Sequence, residues 1–160
     1  MDSTKMLIQN GRSLIVQKLY YSDIEKAQEI YVFLEAEAQA QFGHAFSLNE
    51  TFAFHILYQE WDLFLEMAAR YEEHELWNYL YSDNILRSIM QAINANEDII
   101  RNGMKLSEFS AEEEDLINLY FHLILSRKAD NEYTQKLKDF KQNYPHSKYQ
   151  EFVRNYLLGD

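Results

Sequence analysis

Residues 138–157, KDFKQNYPHSKYQEFVRNYL, contain the only proline of the chain, Pro145, between two segments that both have the residue pattern of helices. Proline has no backbone N–H and is tolerated in the first turn of a helix, where that N–H would be unpaired. It also biases the preceding residue, Tyr144, away from helical geometry. We therefore predict that one helix ends near Asn143 and that a final helix begins within two or three residues.

Upstream, residues 110–127, SAEEEDLINLYFHLILSR, contain the clearest helix start of the chain. Ser110 and Glu113 have capping-box spacing, in which the serine side chain accepts from a backbone N–H and the glutamate reaches back to the cap. Acidic residues fill the first turn, where the helix dipole favours negative charge. We expect the final helix to cover the preceding helices with three apolar side chains: Phe152, Val153 and Tyr156.

This last third of the chain resembles a tetratricopeptide-type repeat, in which two antiparallel helices recur and a proline ends the unit. With Pro145 at that position, the two helices fall at 114–127 and 130–143. The large apolar positions of the repeat are filled by Ile117, Tyr120, Ile124, Leu137 and Phe140. The junction NYPHSKYQEF also resembles the YP-x-S-x-Y junctions of repeat proteins among bacterial envelope-assembly lipoproteins. Two small positions differ, because Phe121 stands where glycine is usual and Tyr133 where alanine is usual.

The resemblance covers residues 110–158, and no second copy in phase lies one repeat length, about 34 residues, upstream. It implies a short array of stacked antiparallel helical hairpins that acts as a protein- or peptide-binding or scaffold module. An irregular helical bundle is the alternative architecture.

The whole chain, residues 1–160, has the composition of a single all-α domain. It has four glycines and one proline, and residues that favour helices greatly outnumber the valines and threonines that favour strands. It has no cysteine, which excludes disulfides and thiolate chemistry. No run approaches the ~20 apolar residues of a membrane span. The sequence fits the cytoplasm or, if a signal segment has been removed, the periplasm.

Local signals divide the first half of the chain into helices. Ser22 or Asp23 is the predicted cap of the second helix. Ser47 and Glu50 have capping-box spacing and predict the start of the third. The segment YQEWD, 58–62, is predicted to be a tight bend that ends this helix, and one uninterrupted helix is the alternative.

In the second half, a short helix is predicted to end near Tyr81, followed by a cap cluster at residues 82–84. The asparagines between 94 and 96 are expected to break or bend the next helix. Gly103 is expected to end the helix that follows.

The net charge of −11 is unevenly distributed. Residues 23–75 carry twelve acidic and two basic side chains, whereas residues 126–160 carry five acidic and seven basic ones. An acidic field repels nucleic acid and anionic membranes and favours basic partners. Solubility alone is the alternative explanation of the charge.

Five histidines are the candidates for metal or catalytic chemistry, and none has a known ligand spacing. His74 and Glu75 begin an HExxH motif, but Asn78 stands where the second histidine is needed. His55 and His122 lie in apolar stretches that are typical of core histidines. We therefore assign no catalytic, metal-binding or cofactor-binding residue. The alternatives are a helical-bundle enzyme or metal-binding protein that uses His55, His74 and His122, and a regulatory helical domain of a longer protein.

Residues 52–81 contain nine aromatic side chains in thirty positions. Aromatic residues of helical proteins usually fill the core. Stacked helices also expose a concave face, where aromatic anchors can bury an apolar group of a partner. The sequence thus predicts a non-enzymatic module that binds a basic protein or peptide segment through Tyr58, Trp61, Tyr71 and Trp77.

Overall fold

The computed structural model describes residues 3–75, 77, 85–126 and 131–157. Within these residues the chain forms ten helices and no strand, which confirms the all-α class. The helices are α1 (Ser3–Tyr20), α2 (Ile24–Gln41), α3 (Leu48–Leu57), α4 (Trp61–Ala69), α5 (Tyr71–His74), α6 (Leu86–Ala95), α7 (Glu97–Lys105), α8 (Ala111–Ser126), α9 (Asn131–Asn143) and a terminal π-helix (Phe152–Leu157). The predicted helix end near Tyr81 and the cap cluster at 82–84 lie outside the described residues.

The helices pack around α6, which contacts α1, α3 and α8. Helices α1 and α2 form a hairpin, α8 and α9 form another, and the terminal π-helix packs on α8. The contact between α6 and α1 joins two helices that a strictly sequential stack would keep apart, because each unit of such a stack contacts only its neighbours. The stacked array of hairpins therefore remains a prediction.

A glycine and a helix cap shape the α1–α2 hairpin. Leu34 lies over Gly11, and a Cβ added at Gly11 would come within 2.6 Å of Leu34 Cδ1. In the turn, Ser22 has a left-handed φ of 62°. The Asp23 carboxylate then accepts a hydrogen bond from the Lys26 N–H at 3.2 Å, which makes Asp23 the cap of α2.

A buried ion pair joins α1 to the start of α3. The predicted capping box is confirmed, since the Ser47 N–H donates to Glu50 Oε1 at 2.9 Å and the Glu50 N–H donates to Ser47 Oγ at 3.1 Å. Arg12 is fully buried and donates to both carboxylate oxygens of Glu50, at 2.9 and 3.0 Å, and to the Ala45 carbonyl at 2.6 Å. These bonds fix α1 to the chain that enters α3.

The predicted bend between α3 and α4 is confirmed. Gln59 has a left-handed φ of 56°, its N–H donates to the Ile56 carbonyl at 3.1 Å, and the Glu60 N–H donates to the His55 carbonyl at 2.7 Å. These two bonds form a Schellman motif, which ends a helix at a left-handed residue that is usually glycine. Here a glutamine occupies that position.

The prediction that Gly103 ends its helix is wrong, because α7 continues to Lys105. A Cβ added at Gly103 would lie 1.8 Å from Gln59 Oε1, so the glutamine side chain occupies the space that a larger residue would fill. Gly103 therefore allows α7 to lie close to Gln59 in the bend between α3 and α4. The predicted break near Asn96 is confirmed, since α6 ends at Ala95 and α7 begins at Glu97.

The prediction that the final helix begins at Pro145 is wrong. The Ser147 N–H donates to the Tyr144 carbonyl at 3.1 Å, which places Pro145 at the second position of a β-turn. The Tyr149 N–H then donates to Ser147 Oγ at 3.0 Å, and this local bond delays the helix. The expected cover nevertheless forms, because Phe152 and Val153 are buried.

Candidate functional site

The structure places the four predicted partner-binding residues in separate environments. Each residue has its own aromatic neighbour: Tyr58 lies against Phe54, Trp61 against Phe109, Tyr71 against Phe152, and Trp77 against His44. Among the described residues, no ring contact joins any two of the four. The four residues therefore lie at four separate positions and do not form the single aromatic groove expected from the sequence.

Trp61 is not an exposed anchor, because only 7% of its surface is accessible. Its indole packs on Phe109 with ring centroids 6.1 Å apart. The cause is local, since the Schellman motif at Gln59 redirects the chain and the first residue of α4 faces inward. Trp61 contributes mainly to the core.

The other three residues are half-buried and also help to hold the fold. The Tyr58 hydroxyl is buried and has no hydrogen-bond partner within the described part of the chain, and burial raises its pKa above the usual value. Tyr71 packs edge-on against the ring of Tyr156. Trp77 donates its Nε1–H to the Phe46 carbonyl at 2.9 Å.

A groove with acidic and aromatic walls lies between the α3–α4 bend and the segment before α8. Its volume is about 540 Å³. The residues that line it are Gln59, Glu60, Trp61, Asp62, Leu63, Ser107, Glu108 and Phe109. Trp61 and Phe109 supply its aromatic surface, and Leu63, which is 45% exposed, supplies apolar surface near solvent. We call these eight residues the acidic groove.

The second wall of the acidic groove is built where α7 ends and α8 begins. The Ser107 hydroxyl donates to the Gly103 carbonyl at 3.1 Å and closes the last turn of α7. The predicted capping box of α8 is confirmed, because the Ser110 N–H donates to Glu113 Oε1 at 2.9 Å and the Glu113 N–H donates to Ser110 Oγ at 3.2 Å. In the short connection between the end of α7 and the start of α8, Leu106 is 89% exposed.

Three carboxylates give the acidic groove its charge: Glu60, Asp62 and Glu108. Glu60 Oε1 lies 3.0 Å from Nδ1 of the buried His55. Asp62 and Glu108 have no cationic partner within residues 3–75, 77, 85–126 and 131–157. The groove thus presents unpaired negative charge beside apolar surface.

Sequence reasoning missed the wall formed by Glu108 and Phe109. The available signal was the presence of two large apolar residues, Leu106 and Phe109, in a short connection between helices, where apolar side chains need cover. The sequence could not show that this connection lies opposite the α3–α4 bend, because the two segments are far apart along the chain.

The three histidines of the alternative metal hypothesis have different neighbours. His55 contacts Glu60, the His74 ring lies 5.5 Å from the Trp77 ring, and the His122 ring stacks on Tyr133 with centroids 5.6 Å apart. Where the structure describes the chain, no group of three or more histidine, aspartate or glutamate side chains is placed to hold a metal ion.

No described helix is long and apolar enough to cross a membrane. Comparisons with protein-family models, with curated proteins and with solved structures found no match to this chain.

Proposed function

We propose that this protein is a non-enzymatic binding module that captures protein or peptide segments carrying lysine or arginine beside an apolar side chain. The observation that carries the proposal is the acidic groove, which combines two unpaired carboxylates, Asp62 and Glu108, with the accessible apolar surface of Leu63 and Phe109. The apolar side chain of the partner would lie on Leu63 and Phe109, and its cation would meet the carboxylates.

The two interactions differ in their physical range. Burial of apolar surface contributes about 25 cal/mol per Å² and is not screened by salt. Exposed charges are screened beyond about 8 Å at physiological ionic strength and act mainly on the rate of encounter. Charge would therefore select and steer the partner, and the aromatic surface would retain it.

A tetratricopeptide-like array is the scaffold that we propose for this groove. Two observations support it: the α8–α9 hairpin and the π-helix that packs on α8. In repeat arrays of this class, helix pairs hold binding surfaces in a fixed geometry.

The direct test is an NMR titration of the ¹⁵N-labelled protein with an amidated six-residue peptide that alternates arginine and leucine. We expect the largest backbone amide shifts at residues 59–63 and 107–109. A peptide with glutamate in place of arginine should not bind, because it meets negative charge. A peptide with glycine in place of leucine should bind more weakly, because it buries no apolar side chain on Leu63 and Phe109.

A matched pair of variants separates the groove from general acidity. The double variant Asp62→Asn/Glu108→Gln removes two charges inside the groove, and Glu25→Gln/Glu72→Gln removes two exposed charges outside it. We expect only the first pair to weaken the peptide. Equal weakening by both pairs, or shifts spread evenly over the acidic surface, would contradict a site in the groove.

A further inference from the structure

A carboxylate and a histidine lie close together beneath Trp77, away from the acidic groove. The Glu35 side chain on α2 is 13% exposed, and its Oε2 lies 3.6 Å from His44 Nδ1. This carboxylate accepts a hydrogen bond from the Ala45 N–H at 3.5 Å, which is the limit of a hydrogen bond. His44 Nδ1 is itself buried and has no hydrogen-bond partner among the described residues.

Trp77 covers this pair and attaches one segment of the chain to another. Its indole stacks on the His44 imidazole with centroids 3.3 Å apart and planes 18° from parallel. Its Nε1–H donates to the Phe46 carbonyl at 2.9 Å. These two contacts hold the Trp77 indole against residues 44–46.

The protonation state of Glu35 decides how well this arrangement is satisfied. A neutral carboxyl carries no charge that needs hydration, so it fits this largely buried position without water. An ionised carboxylate in the same place has lost most of its hydration, and one long hydrogen bond from Ala45 compensates little of that loss. Burial outweighs this bond and raises the pKa of Glu35 from its ordinary 4.5 to about 7.

The sign of the pH dependence follows from this shift. Because the folded-state pKa of Glu35 lies above the unfolded value, its contribution to stability is complete below about pH 4.5 and is lost as pH rises through about 7. His44 acts in the opposite sense, since burial and then the nearby His74 lower its pKa below 6.5, and its protonation at lower pH opposes the closed arrangement. The closed arrangement is thus favoured on the acid side of neutrality, above the pKa of His44.

One other titratable group faces Trp77 from α5. The His74 ring lies 5.5 Å from the indole, and burial followed by the nearby Arg70 lowers its pKa, while Glu73 acts in the opposite direction. A test must therefore separate Glu35 from His74.

We propose that Glu35 and His44 form a pH-operated latch beneath Trp77, which holds the Trp77 indole against residues 44–46 while the pair is uncharged and releases it when Glu35 ionises. Release lets water reach the carboxylate once the indole moves off the imidazole. The device concerns the hold on Trp77 and does not depend on what the acidic groove binds.

The test is ¹⁹F NMR of the full chain labelled with 5-fluorotryptophan, recorded from about pH 5 to pH 9, with Trp61→Phe used only to assign the two signals. We expect the Trp77 signal to move with a midpoint near pH 7 and the Trp61 signal to stay constant. In Glu35→Gln, which has the same shape and cannot ionise, we expect the Trp77 signal to keep its low-pH position throughout. Glu37→Gln, on the same helix, should leave the transition unchanged.

Three results would overturn the latch. The first is a wild-type Trp77 signal that does not change near neutral pH. The second is a transition that persists in Glu35→Gln but disappears in His74→Gln, which would assign the titration to His74. The third comes from the wild-type protein: a ¹³C carboxyl signal of Glu35 that titrates near the ordinary pKa of 4.5 would show that Glu35 is ionised at neutral pH.

Discussion

Two helices of this protein begin with the same signal, Ser-x-x-Glu, but the two signals have different roles in the tertiary structure. At Ser47 and at Ser110 the reciprocal hydrogen bonds of the capping box have nearly the same lengths. At the first, Glu50 is buried and binds Arg12 of α1. At the second, Ser110 is exposed and directly follows the wall of the acidic groove.

The difference shows what a local motif can specify. Capping involves residues three apart, so it marks a helix start through local contacts alone. The tertiary role depends on the residue that the fold brings opposite the glutamate, and for Glu50 that residue lies 38 positions earlier in the chain. The first helix start is therefore part of the core, and the second lies at the surface beside the acidic groove.

The largest effect is expected at the buried cap. Arg12→Leu should lower the free energy of unfolding by about 3–5 kcal/mol, because it leaves the Glu50 carboxylate buried without its counter-charge. Chemical denaturation at neutral pH measures this loss. The double variant Arg12→Leu/Glu50→Gln should recover part of it, since the glutamine is neutral and its oxygen can still accept from the Ser47 N–H. A loss below about 1 kcal/mol in the single variant would mean that the ion pair does not anchor α1.

A smaller difference should separate the two serines. Ser110→Ala should cost about 1 kcal/mol, the usual loss of an N-cap whose freed N–H can bond to water. Ser47→Ala should cost about 2 kcal/mol, because it leaves the N–H of the buried Glu50 without an acceptor. Equal losses in matched denaturation curves would show that burial does not distinguish the two caps.

The parts of the fold that follow from short-range patterns were predictable. The caps at Ser47 and Ser110, the bend after α3 and the break near Asn96 each depend on residues within one or two turns of each other. The role of Gly103 was not predictable, because the side chain that fills its space belongs to Gln59, in the bend between α3 and α4. The start of the final helix was predicted too early, because the Ser147 hydroxyl accepts a hydrogen bond from the Tyr149 N–H and delays the helix.

The candidate site was predictable only in its chemistry. Acidic charge beside aromatic rings was visible in residues 52–81, and Trp61 does line the acidic groove. Its burial, and the separation of Tyr58, Tyr71 and Trp77, depend on which side of each helix faces the core. Phe109 and Glu108 enter the site through a tertiary contact that no local pattern encodes.

The most direct test of the binding function is the salt dependence of the association rate of the arginine–leucine peptide, measured by stopped-flow for the wild type and for Asp62→Asn/Glu108→Gln. The substitutions should change stability little, because Asp62 and Glu108 are exposed and unpaired in the described structure. In the wild type, we expect association to slow as salt rises while dissociation changes little. In the variant, association should be slower at low salt and its salt dependence flatter. The same rates and the same salt dependence in both proteins would contradict binding in the acidic groove.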